Sequence, residues 1–197
     1  MDNLIETGEI QPYTLDQFKE HGEVIEMIHD LEENVQKIRE KSYEKYSEVL
    51  GRYQEQPHLL DNHIPELVSL LFQYIRNPII DVIIANEAYK YMYQICKVRS
   101  YKVFVKFLPH ELPDLDFALR SLSEMDINDN TNWEKRYVLL VWMSVLVLIP
   151  FLLSRLDGVS KSVRELTKME QIFQVCKQNT RNNDPCSTVA AFFVQNF

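Results

Sequence analysis

Trp133–Gly158 reads WEKRYVLLVWMSVLVLIPFLLSRLDG, and inside it Tyr137–Leu153 is interrupted only by Ser144 and Pro150. By hydropathy alone this is a membrane span. A spanning helix takes about 20 apolar residues to cross about 30 Å of hydrocarbon, and this run falls short. Pro150 shortens it further, because an interior proline costs about 3 kcal/mol and kinks or ends a helix. Glu134, Lys135 and Arg136 crowd one end, and Arg155 and Asp157 the other. A helix that is apolar all round is also what the middle of a large helical core requires. The stretch therefore reads as a buried helix, with no membrane span. Met1 opens an acidic, polar stretch without a basic region followed by an apolar one, so no signal peptide is expected either.

Around this helix the composition is that of a globular chain: 197 residues, 46% apolar and 25% charged. Only 4 glycines occur, and long apolar runs recur at helical rather than alternating spacing, which argues for an all-α fold. GxGxxG and GxxxxGK are both absent, so no glycine-rich phosphate loop exists. Cys96, Cys176 and Cys186 show no CxxC spacing and sit in apolar patterns, as reduced, buried thiols do. The net charge of −8 is uneven: residues 1–56 carry 14 acidic and 6 basic side chains, leaving 15 of each in residues 57–197. An acidic segment joined to a neutral body disfavours nucleic acid and anionic membrane as partners.

Along the chain, residues 1–13 lack periodicity and read as a flexible acidic arm. Residues 14–197 read as one helical-repeat domain of about four helix pairs. Thr14 with Gln17, Thr131 with Glu134 and Ser162 with Glu165 have capping-box spacing, and Asn77-Pro78 and Asp184-Pro185 read as N-cap and first helical residue. Val35, Ile38, Tyr46, Val49, Leu50 and Tyr53 share one helical face. Ile64, Leu67, Val68, Leu71 and Ile75 share another, as do Ile80, Ile83, Ile84, Ala88, Tyr91, Met92 and Ile95. Tyr101 to Leu108 reads as one short helix. The pairs begin near residues 16, 58, 101 and 164. The first two steps suit HEAT- or armadillo-type repeats of about 40–47 residues. In such a solenoid each pair buries its apolar face against the next. The ending AAFFVQNF carries no cap, and reads as a solenoid truncated at its C-terminal end, with Phe192, Phe193 and Phe197 uncovered.

Chemistry-bearing motifs are sparse. None of the five histidines forms HExxH. His58, Asp61 and His63 lie close together, but His-x4-His on a proline-broken turn is weak evidence for a metal, and capping or packing by loop polar groups explains it as well. No nucleophile stands beside a base at a recognisable spacing, so no catalytic residue, metal or cofactor is expected. Arg155 and Asp157 suit an ion pair or a cap at the end of the apolar helix.

One surface cluster stands out. Lys97, Arg99, Lys102 and Lys106 interleave with Tyr101, Phe104 and Phe107. The last three cations fall at i, i+3 and i+7, so a helix there presents a basic stripe, with the aromatics turned largely to the core. It is either a solvated charged face or a patch for an acidic protein partner.

Three segments carry a resemblance. YQEQPHLLD (Tyr53–Asp61), KVRSYKVFVKFLPHE (Lys97–Glu111) and the Trp133–Gly158 stretch, in that order, resemble the tubulin-folding cofactor D (tubulin-specific chaperone D) family. The second is similar to its KVRGYK and FPHE signature, the third to its W-E-x-R-Y, I-P-F and S-R-L-D-G elements. The likeness runs from Leu31 to Phe197. Ser100 stands where the family pattern has glycine, and Leu152 and Leu153 where it has a more polar pair. Family chains run to about a thousand residues or more of stacked helical repeats. The resemblance implies a HEAT/armadillo-like solenoid and a non-enzymatic, cytoplasmic role at the microtubule cytoskeleton. It implies capture of β-tubulin after the chaperonin step and its assembly with α-tubulin alongside other tubulin-folding cofactors. It further implies a part in stimulating tubulin GTP hydrolysis, and association with an ADP-ribosylation-factor-like small GTPase. The alternatives are a helical-repeat scaffold for an unrelated partner and a fragment that does not bind tubulin.

Overall fold

A computed structural model describes residues 15–33, 35–126, 129–148, 167–180 and 184–195. Among them there are nine α-helices and no strand. They are α1 (His21–His29), α2 (Gln36–Gly51), α3 (Ile64–Arg76), α4 (Val82–Arg99), α5 (Tyr101–Phe104), α6 (Leu112–Ser123), α7 (Trp133–Leu146), α8 (Lys168–Asn179) and α9 (Pro185–Gln195). Short 3-10 turns follow α1 at Asp30–Glu32, precede α3 at Pro57–Leu60 and continue α5 at Val105–Phe107.

Contacts between elements arrange the chain as two rows. α1 packs on α2, α3 on α4, α6 on α7 and α8 on α9, so each sequential pair is an antiparallel hairpin. The second helices of the hairpins, α2, α4, α7 and α9, then pack successively on one another. The first helices touch their counterparts much less. This is the layout of an α-α solenoid, in which each unit buries its apolar face against its neighbours.

Both rows combine packing with polar contacts. In the second-helix row, apolar and aromatic contacts are joined by the ion pairs Arg39–Glu87 at 2.7 Å (α2 to α4) and Arg136–Asp184 at 3.6 Å (α7 to the start of α9). Tyr46 on α2 packs on Tyr91 of α4 at 4.4 Å between ring centroids, and its hydroxyl donates to the Tyr91 carbonyl oxygen at 3.2 Å. Tyr93 on α4 meets Trp133 and Tyr137 of α7 edge-on at 4.7 and 5.1 Å. The first-helix row is bridged by a charged or imidazole–carboxylate contact at each step. His21 lies 2.9 Å from Glu66 (α1 to α3), Arg76 pairs with Asp114 at 2.5 Å (α3 to α6), and Lys168 with Asp116 at 2.8 Å (α6 to α8).

Trp142 anchors the centre. It is fully buried on α7, faces Phe72 of α3 at 4.7 Å and Phe117 of α6 at 6.1 Å, and donates from Nε1 to the Pro109 carbonyl oxygen at 2.6 Å. One indole thus joins three helices and the loop before α6. The apolar reading of this region holds: Val138 to Met143 are all buried, and no helix of the described residues is long and apolar enough to cross a membrane. The three cysteines are free and buried, and burial pushes each thiol up to about 12.

Several boundaries differ from the sequence expectation. Asn77 does not cap α4. It ends α3, and its Oδ1 accepts from the Ile79 amide at 3.0 Å, closing a local turn. The cap of α4 is Asp81, which accepts from the Ile83 amide at 2.9 Å, so the five residues 77–81 join the helices. Thr131 and Glu134 form no capping box; Asn132 stands at the cap of α7 without a side-chain bond, and Asp129 takes the Thr131 amide at 2.8 Å. Asp184 and Pro185 do open α9, with Asp184 Oδ1 accepting from Ser187 at 2.9 Å. Reciprocal capping boxes sit instead at Glu111/Asp114 and Thr167/Glu170. Val35 and Ile38, placed on the apolar face of α2, are exposed, while Tyr46, Val49 and Leu50 are buried as the pattern requires. Residues 1–13, Thr14, Arg155, Asp157, Gly158, Ser162 and Glu165 lie outside the described residues, as do the side chains of Phe192, Phe193 and Phe197.

Candidate partner-binding surface

The basic segment does not form one helix. α4 ends at Arg99, Ser100 adopts φ 74° and ψ 135°, and α5 restarts at Tyr101 for a single turn before the 3-10 turn Val105–Phe107. Positive φ is a conformation that glycine takes without cost and that a side chain resists. Spacing of i, i+3 and i+7 therefore defines no common face across Ser100, and the expected stripe is broken between Arg99 and Lys102.

The break also separates the roles of the four cations. Arg99 is a structural residue. Its Nε and Nη2 both donate to the Asp61 carboxylate, the latter at 2.8 Å. The Arg99 guanidinium holds the Asp61 carboxyl below the usual carboxylate range, by its hydrogen bonds first and its charge after. Lys97, Lys102 and Lys106 are exposed. Lys97 lies in the last turn of α4, where the helix dipole favours a cation. Phe104 between them is fully buried and Phe107 packs half-buried against the core, as the sequence pattern requires.

An apolar groove adjoins this surface, and an exposed apolar turn lies at the opposite end of α4. An open groove of about 370 Å³ runs between α3 and the segment after α5, lined by Val68, Phe72, Arg76, Phe107 and Pro109 among others. Arg76 at its wall sits 4.8 Å over the Phe72 ring while pairing with Asp114. At the turn between α3 and α4, Ile79, Val82 and Ile83 are 91%, 66% and 58% exposed, which the helical pattern of Ile80, Ile83 and Ile84 did not anticipate.

Loop residues His58, Asp61 and His63 form no metal-ligand cluster among the described residues. Asp61 is committed to Arg99, and His63 instead lies against His21, ring centroids 4.2 Å apart, with Glu66 beside them. His21 escaped the sequence reading because it is 42 residues away. The available signal was His63-x-x-Glu66, two potential ligands three apart at a helix start.

With this geometry in place, comparison with known proteins is decisive. The family described as tubulin-specific chaperone D-like, ARM repeat, matches residues 50–197, from the end of α2 through α9. The chain belongs to this family. Among similar curated proteins, tubulin-folding cofactor D of Schizosaccharomyces pombe (strain 972) is 31% identical over 124 residues, covering 59% of this chain and 10% of that protein. Tubulin-specific chaperone D of Dictyostelium discoideum is 24% identical, covering 57% of this chain and 13% of that protein. The chain thus spans little more than a tenth of the relatives it matches. No solved structure matches it. The family's armadillo repeat accounts for the stacked helical hairpins, and its matched region contains Lys97, Arg99, Lys102 and Lys106.

Proposed function

We propose that this chain is a tubulin-binding helical-repeat segment of a tubulin-folding cofactor. In this reading it holds β-tubulin on its solenoid surface during post-chaperonin assembly of the α/β heterodimer, in the cytoplasm and at the microtubule cytoskeleton. The observation that carries it is the family match across three quarters of the chain, joined to relatives whose names describe tubulin folding. Chemistry within the described residues is compatible: exposed lysines and apolar side chains suit a protein surface rather than a reaction. Lys97, Lys102 and Lys106 are the proposed contacts with acidic tubulin, and Arg99 supports them from beneath through Asp61. The chain itself is not an enzyme in this reading. Stimulation of tubulin GTP hydrolysis, contact with the other tubulin-folding cofactors and association with an ADP-ribosylation-factor-like small GTPase belong to the whole cofactor.

Size-exclusion chromatography of the purified chain, alone and mixed with tubulin at moderate salt, tests the proposal. Co-elution supports a binding site within these repeats. Separate elution as a monomer overturns it and leaves a helical-repeat scaffold without tubulin capture.

A further inference from the structure

A second cluster lies apart from the basic segment, where the N-termini of α1 and α3 meet. His21 is the first residue of α1, His63 immediately precedes α3, and Glu66 stands three residues further on. One ligand atom from each of the three lies within 4.8 Å of the other two. Phe18 packs edge-on against both imidazoles, at 6.0 Å from His21 and 5.4 Å from His63, and is itself braced by Tyr53 at 5.0 Å. The cluster therefore has an aromatic wall on one side, with exposed Glu66 at its solvent edge.

Two observations set it apart from a simple ion pair. His21 Nε2 is buried from water and lies 2.9 Å from Glu66 Oε2, yet it is off the hydrogen-bond direction and bonds to nothing. A buried polar atom left in that state is costly and calls for a partner. The two imidazoles also lie side by side, ring centroids 4.2 Å apart, so one ion between them would meet both.

We propose that His21, His63 and Glu66 bind one divalent transition-metal ion, zinc by the character of the donors, and that the ion clips the first helical hairpin to the second. Two imidazole nitrogens and one carboxylate oxygen suit zinc, whereas magnesium and calcium require a shell of oxygens. Tetrahedral bonds of about 2.0–2.1 Å place ligand atoms about 3.3 Å apart. The three ligand atoms lie within 4.8 Å of one another, His21 Nε2 and Glu66 Oε2 at 2.9 Å, so binding an ion draws the set together. Three protein ligands leave the fourth position to water or to a side chain of a bound partner. The site falls at the first step of the first-helix row, where the His21–Glu66 and His29–Tyr74 contacts otherwise bridge α1 and α3.

The test is calorimetric titration of the chelator-stripped full chain with zinc chloride, alongside thermal melts with zinc and with chelator. One ion per chain, and a melting temperature raised by zinc, are expected. Glu66→Gln, at an exposed position that leaves the fold intact, is expected to weaken zinc binding by at least about tenfold. The double variant His21→Asn/His63→Asn should abolish it, and His110→Asn should leave it unchanged. Absence of saturable binding up to about 100 µM zinc overturns the proposal. Unchanged affinity in Glu66→Gln overturns it as well, and that variant decides the matter if the double variant fails to fold. Cobalt in place of zinc supplies a visible absorption band as an independent readout of the ligand set.

Discussion

Arg99 and Asp61 grip each other by two hydrogen bonds across 38 residues of chain, and in doing so fix the end of α4 to the turn that launches α3. The pair converts one member of the sequence's basic cluster into a strut. It is only part-buried, with side chains 18% and 34% exposed, so water screens it. Asp61→Asn should cost about 1 kcal/mol of stability at neutral pH. The sign with pH follows from the lowered carboxyl pKa. The stabilisation is fully present above the unfolded-state value near 3.9 and is lost as pH falls through the lower folded-state value. Urea unfolding midpoints of Asp61→Asn and the parent chain should therefore differ at pH 7 and converge as pH falls through the lowered folded-state value. A constant difference across that range would assign the effect to packing instead.

Trp142 makes a separable prediction, because its indole does two things. Trp142→Phe keeps most of the apolar contact with Phe72 and Phe117 but orphans the Pro109 carbonyl, and should cost about 1–3 kcal/mol. Trp142→Ala also opens a cavity among α3, α6 and α7, and should cost about 3–5 kcal/mol or more. Chemical denaturation of both variants measures the order, and equal losses would mean that the cavity in Trp142→Ala adds nothing beyond the lost hydrogen bond.

The contrast between these two sites explains what could be read from the chain. Trp142 sits in a run whose apolar residues are buried together, and Leu67, Val68, Leu71 and Ile75 repeat at helical spacing, so the helices and the core were legible. The basic stripe was not. It depended on an unbroken helix through Ser100, and nothing in local propensity marks serine for positive φ. Only the family pattern, with glycine at that position, pointed to it. Arg99 with Asp61, and His21 with His63, are contacts between loops or helix ends far apart in sequence, where no periodicity operates. The cap of α4 was misplaced for a related reason: Asn77-Pro78 closes a turn as readily as it starts a helix, and exposed Ile79 shows that the turn won.

The three thiols should be inert in the folded chain. Cys96, Cys176 and Cys186 are each pushed up to about 12 by burial, so thiolate is scarce at pH 8 and access is blocked. A disulfide dye reagent should label none of them quickly in the native state and all three in denaturant. Rapid labelling of one thiol would mark a region that opens locally.

The proposed tubulin contact has a direct electrostatic test. Lys102→Glu with Lys106→Glu replaces two exposed cations and touches no core residue. Melting temperature should change little, since surface substitutions usually stay within about 0.5 kcal/mol. Co-elution with tubulin should be weakened, and binding by the parent chain should fall as ionic strength rises. Retained binding in the double variant would move the contact to another face, with exposed Ile79, Val82 and Ile83 the next surface to alter.

Ser100 itself offers a gain of stability. Its φ of 74° with ψ of 135° lies where a β-carbon clashes with the backbone, and such residues store about 1–3 kcal/mol. Glycine removes that strain but makes the unfolded chain more flexible, which takes back about 0.5–1 kcal/mol. Ser100 is exposed and caps neither flanking helix with its side chain in a way that glycine would forfeit: α5 has no side-chain cap bond. Ser100→Gly should therefore stabilise the chain by about 1 kcal/mol, or roughly 2–4 °C in melting temperature for a chain of this size. Ser100→Val should do the opposite and by more, because a β-branched residue tolerates positive φ least. If glycine lowers the melting temperature, the flexibility it adds to the unfolded chain outweighs the strain it relieves at Ser100, and the backbone there stores less than about 0.5–1 kcal/mol.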